Sequence, residues 1–109
     1  MKTFVMISVL ALATLAAAAA GKKGDKPAPV AVAIKGMKFT PATVTIKVGD
    51  TVEWTNADQR DHTVVAADGS FSSGNIGHGT AFSFVFKKAG KFEYSCGLHP
   101  RMKGQIVVK

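Results

Sequence analysis

The chain holds a single cysteine, Cys96, among 109 residues. No internal disulfide can form, so a stapled mini-scaffold is excluded and the fold must rest on its apolar core. Acidic residues are scarce, 7 against 14 Lys and Arg, for a net charge of +7. Such a balance raises nucleic acid as a partner, yet the lysines are dispersed and not clustered with aromatics on one stretch, so no phosphate-tracking stripe is present. Also missing is any sustained helical period beyond the N-terminus, which argues against a bundle. After residue 20 there is no long apolar run, so no integral membrane segment is expected there.

Residues 1–20 differ from the rest. Lys2 is followed by an apolar run from Phe4 to Leu15, interrupted only by Ser8 and Thr14, and then by Ala16 to Ala20. This is the pattern of a secretory signal peptide, with cleavage expected near Ala20 and the product exported, to the periplasm in a bacterium. The apolar run is shorter than the roughly 20 residues that cross a bilayer. Residues 21–29, GKKGDKPAP, are polar and rich in Gly and Pro, and read as a flexible arm. Residues 30–109 remain as one domain.

In that domain the apolar period is two. Val30, Val32 and Ile34 alternate with small or polar residues, as do Val44, Ile46 and Val48, and then Val52 and Trp54. Alternation of this kind buries one face of a sheet and wets the other, as antiparallel sheets do. Gly49-Asp50 marks a turn, making 43–48 and 51–56 a hairpin or a sheet-switching corner. Residues 57–80 are polar and Gly-rich, with one short strand candidate at 63–66. Alternation returns at Phe82, Phe84 and Phe86, turns at Ala89-Gly90, and continues through Phe92, Tyr94 and Cys96 to a last strand at 104–109. The five aromatics of this stretch are expected to supply much of the core, each contributing about 1.5–3 kcal/mol if buried. Trp54 is expected between the sheets and Met37 as a gap filler at a strand edge. Short strands, turn signals and no helix point to an all-β sandwich.

An unpaired thiol in an exported protein needs either burial or a metal to protect it. Cys96 opens the stretch Cys96-Gly97-Leu98-His99-Pro100-Arg101-Met102, a C-x-x-H-x-x-M spacing. Gly97 and Pro100 oppose a continuing helix, so the stretch reads as a tight loop between two strands, its donors turned to one point. A thiolate, an imidazole and a thioether together suit copper cycling between its two oxidation states. A trigonal His₂Cys plane needs a second imidazole. His62 supplies it, because the start of its strand and the end of the Cys96 strand can share one pole of a sandwich. Met102 is then a weak axial donor that tunes the potential, while His78, between Gly77 and Gly79, is expected to face solvent. Zinc could occupy the His₂Cys plane, but Met102 would add nothing for it.

Phe39-x-Pro41, then Val44-x-Ile46-x-x-Gly49-Asp50-Thr51-Val52-x-Trp54-x-Asn56, then Asp61-His62-Thr63-Val64 and the final Cys-His-Met loop resemble the cupredoxins over nearly all of residues 30–109. The compact last loop is most similar to the amicyanin kind. The resemblance implies a Greek-key β-sandwich and a type 1, or blue, copper held by His62, Cys96 and His99 in a plane with Met102 on the axis. It also implies electron exit through the ring edge of His99, in an apolar patch to which Leu98 and Pro100 contribute. Thr63 is a departure, since relatives of the amicyanin and plastocyanin kind usually carry Asn there to bridge the two ligand loops; a Thr hydroxyl has fewer donors and less reach.

The function expected is a monomeric carrier that shuttles single electrons between redox proteins, a c-type cytochrome or a periplasmic dehydrogenase or oxidase. It is not expected to be an enzyme, because no open equatorial position and no second metal site are evident. Arg101 and Lys103 beside the patch favour a partner with acidic residues around its redox centre. Two other readings use the same residues. A copper-delivery protein would exchange the metal readily, and a plain secreted sandwich would bury Cys96 with its His and Met spacing accidental.

Overall fold

Alternating apolar side chains give each sheet one dry face, and two such faces close on each other. A computed structural model describes residues 28–109, in which the strands are β1 (Val30–Lys35), β2 (Lys38–Thr40), β3 (Thr43–Ile46), β4 (Thr51–Asn56), β5 (Val65–Ala66), β6 (Ala81–Val85), β7 (Gly90–Ser95) and β8 (Lys103–Val108). The signal peptide at 1–20 and arm residues 21–27 lie outside the described residues. One sheet has the order β2-β1-β4-β6 and the other β3-β8-β7-β5. This is the expected all-β Greek-key sandwich, and Gly49-Asp50 is the sheet-switching corner, with β3 in one sheet and β4 in the other.

The sheets are mixed, where the alternation alone suggested antiparallel pairing. β1 runs parallel to β4 and β3 parallel to β8. After β2 turns back on β1, the chain crosses to the second sheet for β3 and returns as β4 in the direction of β1. This topology positions the site. Parallel pairing sets Ile34 opposite Asn56, so β1 and β4 end together; β7 ends beside the start of β5, Val65 opposite Ser95, and beside the start of β8, Ser95 opposite Lys103. The β1–β2, β4–β5 and β7–β8 connections therefore gather at one pole.

Val32, Ile34, Val52, Trp54, Val64, Phe86, Tyr94 and Ile106 form the buried centre, with Trp54 fully enclosed as expected. Of the five aromatics expected inside, Phe86 and Tyr94 are buried, whereas Phe82, Phe84 and Phe92 are only partly so. Phe82 and Phe84 lie on β6, the edge of its sheet among the described residues. Phe71, from the irregular stretch, fills the interior instead, its ring centroid 5.8 Å from Trp54, 4.9 Å from Phe84 and 5.5 Å from Phe86.

Two further expectations are corrected. The strand candidate at 63–66 shrinks to Val65–Ala66, because the N–H of Thr63 bonds the Cys96 sulfur and that of Val64 the Ser73 hydroxyl, leaving neither for a ladder. Met37 fills no gap: it is 38% exposed, in a β1–β2 turn whose two residues, Gly36 and Met37, have φ of 63° and 62°. Paired left-handed residues suit the twist of a two-residue hairpin.

Gly104 faces Tyr94 across β7 and β8, and a Cβ there would run into the Tyr94 ring. Gly104→Ala is expected to lower stability by about 1–3 kcal/mol through overpacking, read as an earlier urea midpoint with unchanged slope.

Candidate metal centre

Three loops meet at the pole. The β7–β8 loop is held by its own backbone: Cys96 N–H donates to the Met102 carbonyl (3.1 Å), His99 N–H to that of Cys96 (3.2 Å) and Met102 N–H to that of His99 (2.9 Å). It is the tight non-helical loop anticipated, with Cys96 and Met102 buried and His99 half-buried. The β4–β5 loop is organised by Asn56, fully buried, whose amide donates to the carbonyls of Arg60 (2.8 Å) and Ile76 (2.7 Å) and whose Oδ1 accepts from Asp58 N–H (2.8 Å). His62 then pairs with Ile76 in a bridge, its N–H donating to the Ile76 carbonyl at 3.2 Å and its carbonyl accepting from Ile76 N–H at 2.7 Å. The side chain of His62 is wholly buried as a result.

One donor atom each from His62, Cys96 and His99 lies within 4.8 Å of the others. Cys96 Sγ is 3.8 Å from His62 Nδ1 and 3.6 Å from His99 Nδ1, and the two rings are tilted 59° with centroids 5.0 Å apart. The second nitrogen of His62, Nε2, lies 2.9 Å from Asp58 Oδ2. A carboxylate only accepts, so Nε2 carries a proton, and Nδ1 is the nitrogen that faces the sulfur. His78 is exposed, as expected, and outside the cluster; its Nδ1–H donates to the Asp58 carbonyl at 2.9 Å.

Thr63 joins the two loops. Its backbone N–H donates to Cys96 Sγ (3.3 Å), and its Oγ1 accepts from Gly97 N–H (2.6 Å) while lying 3.9 Å from the sulfur. The shorter reach expected of Thr in place of Asn is met by the close approach of Gly97, where even a Cβ would stand 3.1 Å from Oγ1. Burial pushes the Cys96 thiol up, but hydrogen bonds from Thr63 N–H, His62, His99 and Leu98 N–H outweigh it and bring it down to about 6. Asp58 lies below the usual carboxylate range because the N–H groups of Met37 and Gly36, and then His62, bond its oxygens.

A sandwich with two imidazoles and a thiol converging at one pole defines a metal-binding β-domain. The cupredoxin-like domain family matches residues 4–108, and the chain belongs to it. Amicyanin of Paracoccus versutus is 34% identical over 91 residues, covering 78% of this chain and 69% of that protein. A single-substitution mutant of amicyanin in its oxidised state superposes with a TM-score of 0.71 at 31% identity, covering 74% of this chain and 82% of the other. A Cu-containing nitrite reductase from Thermus scotoductus gives 0.74 at 35% identity, over 82% of this chain but 24% of that one. Copper is the cofactor of the family, and the donors here suit it: a thiol whose ionisation is eased by its surroundings, beside two imidazoles. Asp58 and Phe71 were not singled out by the sequence, and Asn56 stood there only as part of the motif that carries the resemblance, with no role given; the Asn56-x-Asp58 spacing before His62 was the available signal.

Thr63→Val keeps the shape and the backbone N–H but removes the acceptor for Gly97. It is expected to cost about 1 kcal/mol in chemical denaturation, with Gly97 N–H losing its protection in hydrogen exchange.

Proposed function

We propose that this chain is an exported single-electron carrier that holds one copper ion through His62, Cys96 and His99, with the Met102 thioether as a weak fourth donor. The observation that carries the reading is the convergence, within 4.8 Å, of one sulfur and two imidazole nitrogens from two separate loops. Bound there, copper supplies a one-electron couple. The chain's own part is to bring Cys96 as a thiolate, to present both Nδ1 lone pairs, and to keep water out: His62 and Cys96 are completely buried. A site fixed by a folded sandwich has little to rearrange when its charge changes, which is what fast transfer needs. Such burial favours a carrier over a delivery protein, since the latter must let its metal leave.

His99, alone of the three, reaches the surface. Around it lie Leu98 (51% exposed) and Met37 (38% exposed), with Pro100, and the charges of Lys38 and Arg101 stand at the rim of the same shallow depression. This face is the proposed docking surface for a redox protein with acidic residues around its centre, a c-type cytochrome or a periplasmic dehydrogenase or oxidase, with the carrier acting as a monomer after loss of residues 1–20. Among the described residues no helix is long and apolar enough to cross a membrane. Catalysis of the kind named for the nitrite reductase is not proposed, because the chain spans only 24% of that enzyme.

Titration with Cu(II) is expected to give an intense blue absorption that saturates at one copper per chain and is absent in Cys96→Ser; a colourless product from the wild-type chain would remove the proposal. The structure sets Lys38, and not the expected Lys103, beside Arg101 at this face. Reversing charge at Lys38 and Arg101 together is expected to flatten the ionic-strength dependence of electron transfer to an acidic cytochrome, and an unaltered dependence would remove the docking assignment.

A further inference from the structure

Asp58 lies where three loops converge. Its Oδ1 accepts from Gly36 N–H (2.8 Å), and its Oδ2 accepts from both Met37 N–H (3.0 Å) and His62 Nε2–H (2.9 Å). The Asn56 side chain fixes its backbone from one side, and His78 caps its carbonyl. The side chain is 17% exposed, while the ring it holds is wholly buried. Two consecutive left-handed residues, Gly36 and Met37, turn successive N–H groups to one carboxylate. Among the described residues Met37 is the one non-glycine with positive φ, an arrangement that persists when surrounding bonds hold it.

We infer that Asp58 is a positioning residue of the electron-transfer centre, fixing the His62 ring through Nε2, favouring the oxidised metal, and pinning the Met37 turn to the same loop. The inference rests on the reading that His62 binds copper. Two effects of the carboxylate act in one direction. Accepting the Nε2 proton makes the imidazole a stronger donor through Nδ1, and a fixed negative charge close to the site stabilises the higher oxidation state. Both lower the potential. The same carboxylate carries the strained turn that presents Met37 and Lys38 to the His99 face, so one anion supports a ligand and one wall of the docking surface. An Asn in its place is neutral and has one accepting oxygen for three donors.

The test compares copper-loaded wild type, Asp58→Asn and Asp61→Asn. Asp61 is an exposed carboxylate adjacent in sequence to His62, and so serves as a control for charge alone. Loss of a group that bonds a metal ligand typically costs about 10–100-fold in metal affinity or activity, and a redox ratio moved by the low end of that range is the expected effect. Asp58→Asn is expected to keep the visible band and to raise the Cu(I)/Cu(II) ratio at fixed poise about tenfold, which for a one-electron couple is about 59 mV. Asp61→Asn is expected to stay within about twofold, its charge being screened by solvent. An unmoved potential in Asp58→Asn, or an equal shift in Asp61→Asn, overturns the inference. Should Asp58→Asn not fold, proton NMR of the wild-type Cu(I) protein decides: a slowly exchanging His62 Nε2 proton supports the bond, and exchange as fast as in free imidazole overturns it. A wild type that takes no blue colour defeats the copper reading itself, whereas a blue protein with an unmoved Asp58→Asn defeats this inference alone.

Discussion

The Cys96 sulfur, clasped from the opposite loop, is the constraint on which the rest of the pole depends. Thr63 donates its N–H to that sulfur and accepts the N–H of Gly97 with its hydroxyl, so the β4–β5 and β7–β8 loops are tied by two bonds at the same residue. Without the clasp, His62 and His99 would belong to independent loops. With it, their nitrogens share a site with one thiolate, and the cost of gathering the donors is met by folding and not by the metal.

Strand order brings the loops near enough for that clasp. Parallel pairing of β1 with β4 ends both strands at one pole, and the antiparallel neighbours β5, β7 and β8 bring the other loop to it. The Trp54, Phe71 and Tyr94 rings pack on one another in the core beneath the pole. Of the three donors only His99 reaches the surface, where Leu98, Pro100 and Met37 surround it and Lys38 and Arg101 stand at the rim.

Much of this was legible in the residues. The donors of the last loop sit three apart, and Gly97 and Pro100 forbid a helix, so a compact loop was forced; the missing imidazole then pointed to His62. The sandwich followed from the period of two. Parallel pairing did not, because alternation states which face is buried and not which strand lies beside it. Phe71 escaped because a single aromatic in a Gly-rich stretch carries no period. Met37 was misread because a methionine before Phe39 looks apolar, whereas its left-handed backbone turns it outward. Asp58 was missed because the Asn56-x-Asp58 spacing announces only a local turn, whereas the N–H groups its carboxylate holds, those of Gly36 and Met37, lie 22 and 21 residues away.

Diffraction from copper-loaded crystals on either side of the copper absorption edge tests the central claim most directly. The account predicts one anomalous peak per chain, within bonding distance of His62 Nδ1, Cys96 Sγ and His99 Nδ1, with those side chains where the metal-free fold places them. A peak elsewhere on the surface, or a His62 ring swung away from the sulfur to leave the metal with two protein donors, would contradict it.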